Sequence, residues 1–225
     1  MGDVKEREVD GMKDCKIVSM VLGPVQTNCY LVYHQETKEA FIVDPADRAE
    51  RIIQEIERLG LVPKAILLTH GHFDHIMGSR GVKEKYGIPV YAYEKEQDLM
   101  ADPRTNLSMA FIGESFSMSA DQWFYDGEKI TIAGLEIQVL ATPGHTCGGC
   151  CYYLPEEGVL LSGDTLFCRS VGRTDFPTSS TRELILSIRD KLFVLPDATA
   201  VYPGHEETTT IGEEKQHNPV APYCR

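Results

Sequence analysis

Between Ala65 and Gly78 the chain reads AILLTHGHFDHIMG, which sets His70, His72, Asp74 and His75 within six positions. Imidazole and carboxylate together suit borderline first-row metals, and such ligands sit best on loops that leave buried strands. His70 and His72 are two apart, so in an extended loop their rings lean towards a shared centre. Asp74 and His75 follow where a helix starts and offer a second pair to a neighbouring centre. Three more candidates each close an expected strand: His145 in LATPGHT, Asp164 in LLSGDTLF and His205 in VYPGH. Taken alone, a Gly-His or Gly-Asp after a strand is a turn residue. A dense cluster followed by three strand ends of the same kind points to metal. His34 and His217 fall outside the pattern.

The elements that must carry these residues follow from periodicity. KIVSMVLG, TNCYLVYH and EAFIVDP read as strands, the first two joined by the turn GPVQ. Ile52, Ile53 and Ile56 recur at helical spacing over 47–59, with Gly60 as C-cap. KAILLT is apolar throughout, as a strand covered on both faces should be. A helix is expected from Asp74 to Gly87, then the strand IPVYAY, a short helix over 94–101 and loops to about residue 125. The second half gives a hairpin over 129–142, another over 150–164, a helix from Thr181 to Pro196, a strand over 199–205 and a last helix. Thr210 and Glu213 have capping-box spacing at that helix's start. The halves thus alternate alike, with no linker between them. The expectation is a polar tail over 1–14 and one α/β domain over 15–225, two mixed sheets sandwiched between helices.

Composition bounds the function. The chain has 225 residues, 25% of them charged, with a net charge of −12, which argues against nucleic acid or an anionic membrane as partner. No apolar run approaches the ~20 residues of a membrane span. The N-terminus lacks the apolar core of a signal peptide, and Glu6 stands where a myristoylation pattern needs Ser or Thr. A cytoplasmic protein with reduced thiols is expected, despite seven cysteines. Cys147-x-x-Cys150 has a redox or zinc spacing, but a structural zinc wants a second such pair and none exists. Of Cys150 and Cys151, which open an apolar strand, one is expected in the core. Cys147 and Cys168, close in sequence to ligand candidates, are expected near the pocket.

THGHFDH, PGHT, SGDT and YPGH, in this order, resemble the motifs of the metallo-β-lactamase superfamily. GDTLFCRSVGRTDFP and TTIGEEKQHNP resemble its hydroxyacylglutathione hydrolase (glyoxalase II-like) branch, and the likeness runs from about Lys16 to Pro219. The resemblance implies an αββα four-layer sandwich with a dinuclear metal site at one edge. It assigns His70, His72 and His145 to one metal, Asp74, His75 and His205 to the other, and Asp164 to both. The metals would be two divalent ions, zinc before iron or manganese. The chemistry would be hydrolysis of a small acyl thioester by a metal-bound hydroxide, with Asp74 and Asp164 as the catalytic carboxylates. Asp44 in FIVDP resembles the aspartate that orients a ligand histidine, although a strand-end turn aspartate reads the same way. Arg173 and Asp175 could touch substrate or brace their loop as an ion pair.

Two departures bear on substrate. Glyoxalase II enzymes append a helical glutathione-binding domain, and only 20 residues follow His205, so a thioester without glutathione is an expectation. Persulfide dioxygenases share the fold and resemble GRTDF, but use one iron on residues matching His70, His145 and Asp164. Flavodiiron oxygen reductases, which carry a glutamate at the place of His72, and nucleases with a large extra domain fit less well. A non-catalytic metal scaffold is the remote alternative, since a degenerate member would be expected to lose ligands first.

Overall fold

Side chains alternate across a strand, so a strand that is apolar throughout needs a layer on each side. The computed structural model, which describes residues 4–7 and 14–224, provides them. Its first sheet takes seven strands in chain order: β1 (Val4–Arg7), β2 (Cys15–Leu22), β3 (Thr27–His34), β4 (Glu39–Val43), β5 (Val62–Leu67), β6 (Val90–Tyr93) and β7 (Gln122–Phe124). β1 to β4 pair antiparallel, and β4 to β7 parallel. The parallel crossovers carry helices α1 (Ala49–Leu59), α2 (Phe73–Ile76), α3 (Ser79–Tyr86), α4 (Gln97–Ala101) and α5 (Ser108–Phe111).

The second sheet is assembled from β8 (Lys129–Ile132), β9 (Leu135–Ala141), β10 (Cys150–Leu154), β11 (Val159–Gly163), β14 (Ala200–Pro203) and β15 (Thr209–Thr210). Its spatial order is β15-β14-β11-β10-β9-β8. A small hairpin of β12 (Leu166–Phe167) and β13 (Ser170–Val171) leaves it, and α6 (Thr181–Ser187) and α7 (Ile211–His217) cover its outer face.

Three apolar clusters define four layers. Ile17, Phe41 and Leu67 of the first sheet meet Ile137, Tyr152 and Leu161 of the second in a shared core. Ile42, Ile66 and Leu68 pack outwards on Ile52, Ile56 and Val82 of the helices. Leu160 and Val201 pack on Leu184, Ile188 and Ile211. This is the αββα sandwich. Cys150 enters the shared core and Cys151 the outer one: both are buried because β10 is covered on both faces, where sequence reading expected only one.

Other differences are local. Val4–Arg7 pairs along β2, although the sequence there suggested only a polar tail. The helix expected over 74–87 is broken after Ile76, because Gly78 presses on the neighbouring loop. Its N–H donates to Pro45 O at 2.8 Å, and a Cβ there would lie 2.7 Å from that oxygen. The helix expected over 181–196 is α-helical only to Ser187 and widens into a π turn over Ile188–Leu192. The short helix over 94–101 is a 3-10 turn, Glu94–Glu96, leading into α4. Thr210 caps α7 by accepting from Glu213 N–H at 3.2 Å.

Candidate metal centre

β9 and β11 both run antiparallel to β10, and β14 runs parallel to β11, so all three end at the same edge. His145 follows β9, Asp164 follows β11 and His205 follows β14. From the first sheet, β5 delivers His70 and His72, and α2 carries Asp74 and His75. Bonds between the sheets fix the two halves in register. Tyr152 O–H donates to Leu68 O at 2.6 Å, Cys150 N–H to Thr69 O at 2.9 Å and Asn28 N–H to Gly204 O at 2.7 Å.

All seven sequence candidates meet there. His72 Nδ1 lies 3.1 Å from His70 Nε2 and 2.9 Å from His145 Nε2. Beside this cluster, His75 Nε2 and His205 Nε2 stand 3.6 and 3.4 Å from Asp74 Oδ2. Asp164 lies between: its Oδ1 is 3.4 Å from His75 Nε2, and its Oδ2 is 3.5 Å from both His145 Nε2 and His205 Nε2. His70–His72–His145, His70–His75–Asp164 and Asp74–His75–His205 each present one donor atom per residue within 4.8 Å of the others.

Outer hydrogen bonds decide which ring nitrogens face inward. His145 Nδ1 donates to Arg173 O at 2.8 Å and His75 Nδ1 to Asp44 Oδ2 at 2.9 Å. The Thr69 hydroxyl donates to Asp44 Oδ2 at 2.6 Å, so its oxygen is left to accept from His70 Nδ1 at 3.2 Å. In the neutral tautomers the Nε2 lone pairs of His70, His75 and His145 therefore all point into the site. His72 Nε2, His75 Nε2 and Asp164 Oδ1 are buried without a hydrogen-bond partner among the described residues. Orphaned buried groups are rare in folded proteins. His72 turns Nδ1 rather than Nε2 to the cluster, but His75 Nε2 and Asp164 Oδ1, 3.4 Å apart, face each other in the site and fit a cation.

The electrostatics differ across the site. Burial, then the charge of His75, holds His70 well below the usual histidine range. Burial and His145 do the same to His72. Burial alone would lower His75 too, but Asp164, Asp74 and Asp44 outweigh it and raise its pKa to about 10. His205 is also raised, Asp164 and Asp74 overcoming its burial. Burial would raise Asp74, yet His75 and His205 hold it far below the usual carboxylate range. The carboxylates around His75 thus favour positive charge at that place.

A cavity of about 260 Å³ opens over these residues, walled by Val25, Phe73, Leu107, Phe111, Phe167 and Phe176. Phe176 packs edge-on to His72, with centroids 5.6 Å apart, and carries the Arg173 guanidinium 4.1 Å above its ring. Arg173 also grips Asp175 through two bonds of 2.8 and 2.7 Å on the exposed rim. The pair braces its loop, and Arg173 also lines the cavity. Cys147 and Cys168 do not line this cavity. Cys147 faces a separate space of about 310 Å³ beside Tyr93 and Lys191, and all cysteines among the described residues are free.

Sequence reading passed over three residues that hold this geometry. Thr27 donates to Asp74 Oδ2 at 2.8 Å. The Asn28 amide donates to Pro203 O and Glu206 O, both at 3.0 Å, bracketing His205. Glu96 accepts from Gly71 N–H at 2.7 Å and from Gly148 N–H at 2.8 Å. The one available signal was polarity: Thr27 and Asn28 open an otherwise apolar strand, whereas Glu96 is hidden in the charged run EKEQD.

Comparison with known proteins identifies the family. The family model of the metallo-beta-lactamase superfamily matches residues 22–205. A protein of Haemophilus influenzae named hydroxyacylglutathione hydrolase GloC is 38% identical over 196 residues, 86% of this chain and 92% of that one. The crystal structure of BLEG-1 B3 metallo-beta-lactamase superposes with a TM-score of 0.87 at 42% identity, covering 90% of this chain and 98% of the other. TTHA1623, solved in a di-iron-bound form, gives 0.79 at 35% identity over 89% and 98%.

Proposed function

Because the chain belongs to the metallo-beta-lactamase superfamily, as a metal-dependent hydrolase, we propose that it cleaves small acyl thioesters at a centre of two divalent ions. The observation that carries this reading is Asp164, whose two oxygens face the three-histidine cluster on one side and the His75–His205 pair on the other. Bound divalent ions supply Lewis acidity, which lowers the pKa of a water and polarises a carbonyl. His70, His72 and His145 would hold one ion, Asp74, His75 and His205 the other, and Asp164 both. Asp44 keeps its carboxylate on the far side of His75 and fixes that ring's tautomer. Asp74, kept ionised and tied to Thr27, accepts a proton from the attacking water and aims its oxygen at the acyl carbon. The C–S bond then breaks, and sulfur leaves with the electron pair. The apolar wall excludes bulk water and strengthens each of these electrostatic contacts.

Five imidazoles and two carboxylates suit zinc first. The di-iron form of TTHA1623 makes iron the competitor, and elemental analysis of protein purified without added metal decides between them. The same reading takes residues 15–225 as one domain, supported by the core that both sheets share. Free thiols fit a reducing compartment such as the cytoplasm, and among the described residues no helix is long and apolar enough to cross a membrane.

The name of the Haemophilus relative makes lactoyl-glutathione the first substrate to try. Glutathione itself is not required on this reading. Among the described residues Arg173 is the one Lys or Arg side chain of the cavity lining, and Asp175 already holds it. Placing the same acyl group on a simpler thiol should keep kcat/KM within roughly tenfold, ~1.4 kcal/mol. A thousandfold preference for glutathione would overturn the thiol-independent form of the reading. Oxygen uptake with a persulfide, or turnover of a β-lactam, in place of thioester cleavage would overturn the reading as a whole.

A further inference from the structure

Glu96 is a fully buried carboxylate with no part in the chemistry above. It follows β6 and is not among the residues that line the substrate cavity. Its two oxygens are divided between two loops. Oε2 accepts from Gly71, the residue between His70 and His72, and Oε1 accepts from Gly148, three residues after His145. One loop leaves the first sheet and the other leaves the second. The approach is built in, for a Cβ would lie 3.0 Å from Oε2 at Gly71 and 2.8 Å from Oε1 at Gly148. Burial pushes the carboxyl's pKa up against the lowering effect of the two amides, and no ion pair offsets it among the described residues. A buried charge without a partner is costly. The nearest natural compensation is a cation held one peptide away by the three histidines, which bring no negative charge of their own.

We propose that Glu96 is the positioning residue of the three-histidine cluster. It clamps the His70–His72 and His145 loops at the spacing metal binding needs, and it supplies the countercharge that the neutral imidazoles lack. The inference rests on the metal-centre reading but not on the identity of the substrate.

The test is metal binding, read without turnover. The full chain and its Glu96→Gln variant are loaded with cobalt(II), and metal is withdrawn stepwise with a competing chelator while the visible d–d bands are followed. A Gln side chain has one oxygen for two N–H donors and turns its NH2 against the other. One class of ion should therefore bind ~10–100-fold more weakly, as expected when an outer-shell partner of metal ligands is lost. Its bands should shift, while the other class stays within about threefold of wild type. Glu96→Asp keeps the charge but is one methylene too short to span both amides. It should weaken the same class, and it serves if the Gln variant does not fold. Wild-type affinity for both classes in either folded variant would overturn the proposal. So would equal weakening of both classes alongside a lower Tm, the mark of a structural role alone. If the wild-type chain took up no metal, the reading beneath the proposal would fall instead.

Discussion

The three-histidine cluster and the Asp74–His75–His205 cluster flank Asp164, and on the proposed reading they would hold a cation in opposite ways. Apart from the shared Asp164, the first keeps charge off its ligands. His70 and His72 are buried and resist protonation, and a second carboxylate, Glu96, reaches the cluster through backbone amides. The second adds a carboxylate of its own, Asp74, and the acidic groups around His75 raise that ring's pKa. It is also more open, with the His205 side chain 19% exposed against 6% for His145. One cluster is therefore organised by geometry and the other by charge.

The largest effect should come from removing what the two clusters share. Asp164→Ala takes a carboxylate from both and should lower activity by more than about a thousandfold, beyond the ~10–100-fold of outer-shell changes. Metal counting on the purified, folded variant should find both ions depleted. His205→Ala should empty only the second cluster, because a terminal imidazole serves one ion. Metal content in Asp164→Ala equal to wild type would break the assignment of Asp164 to both.

The legibility of the two clusters in sequence was also unequal. The candidate ligands were legible because metal chemistry favours few residue types: imidazole and carboxylate crowd into THGHFDH and recur at three strand ends. The four-layer fold was readable at β5, where Ala65–Leu68 is apolar on every residue and so needs cover on both faces. Asp44 was half readable, since a strand-end aspartate serves turns as well as histidines. Only the contact to His75 Nδ1 separates the two. Glu96 and Asn28 were not readable at all, because their roles are hydrogen bonds to backbone across 25 and 175 residues of sequence. Periodicity carries no information about such pairs. The break at Gly78 escaped for the same reason: its cause, the Pro45 carbonyl, lies on another loop.

A pH titration of metal uptake should separate the clusters by a smaller, graded effect. In metal-free protein, His75 has its pKa raised to about 10 from 6.5. The proton's contribution to stability is then fully present below pH 6.5 and is lost as pH rises through about 10. Metal must displace that proton, so affinity of the second cluster should climb about tenfold per pH unit across neutrality, and His205, also raised, steepens the slope. His70 and His72 are already neutral there, so the first cluster should bind with little change between pH 7 and 8. Two equal slopes in a chelator-competition series would erase the contrast between the clusters.

The smallest effect expected is also the most selective. Thr27 lies on β3 and touches the centre only through its hydroxyl, which donates to Asp74 Oδ2 at 2.8 Å. That same oxygen faces His75 Nε2 and His205 Nε2, so the hydroxyl sets the direction in which Asp74 points. Thr27→Val keeps the branched shape and removes the donor. A hydrogen bond to a charged group is worth about 1.5–3 kcal/mol, and Asp74 is partly reachable by water, so the lower end applies, about tenfold. The loss should fall on the second cluster's metal affinity and on kcat, while the first cluster's ion keeps its wild-type chelator profile. Because Asp74 would lose one of the contacts that keep it ionised, the acid limb of the activity profile should move to higher pH in the variant. Loss of metal from the first cluster in Thr27→Val would show that the two clusters cannot be perturbed one at a time, and that charge and geometry are coupled through Asp164.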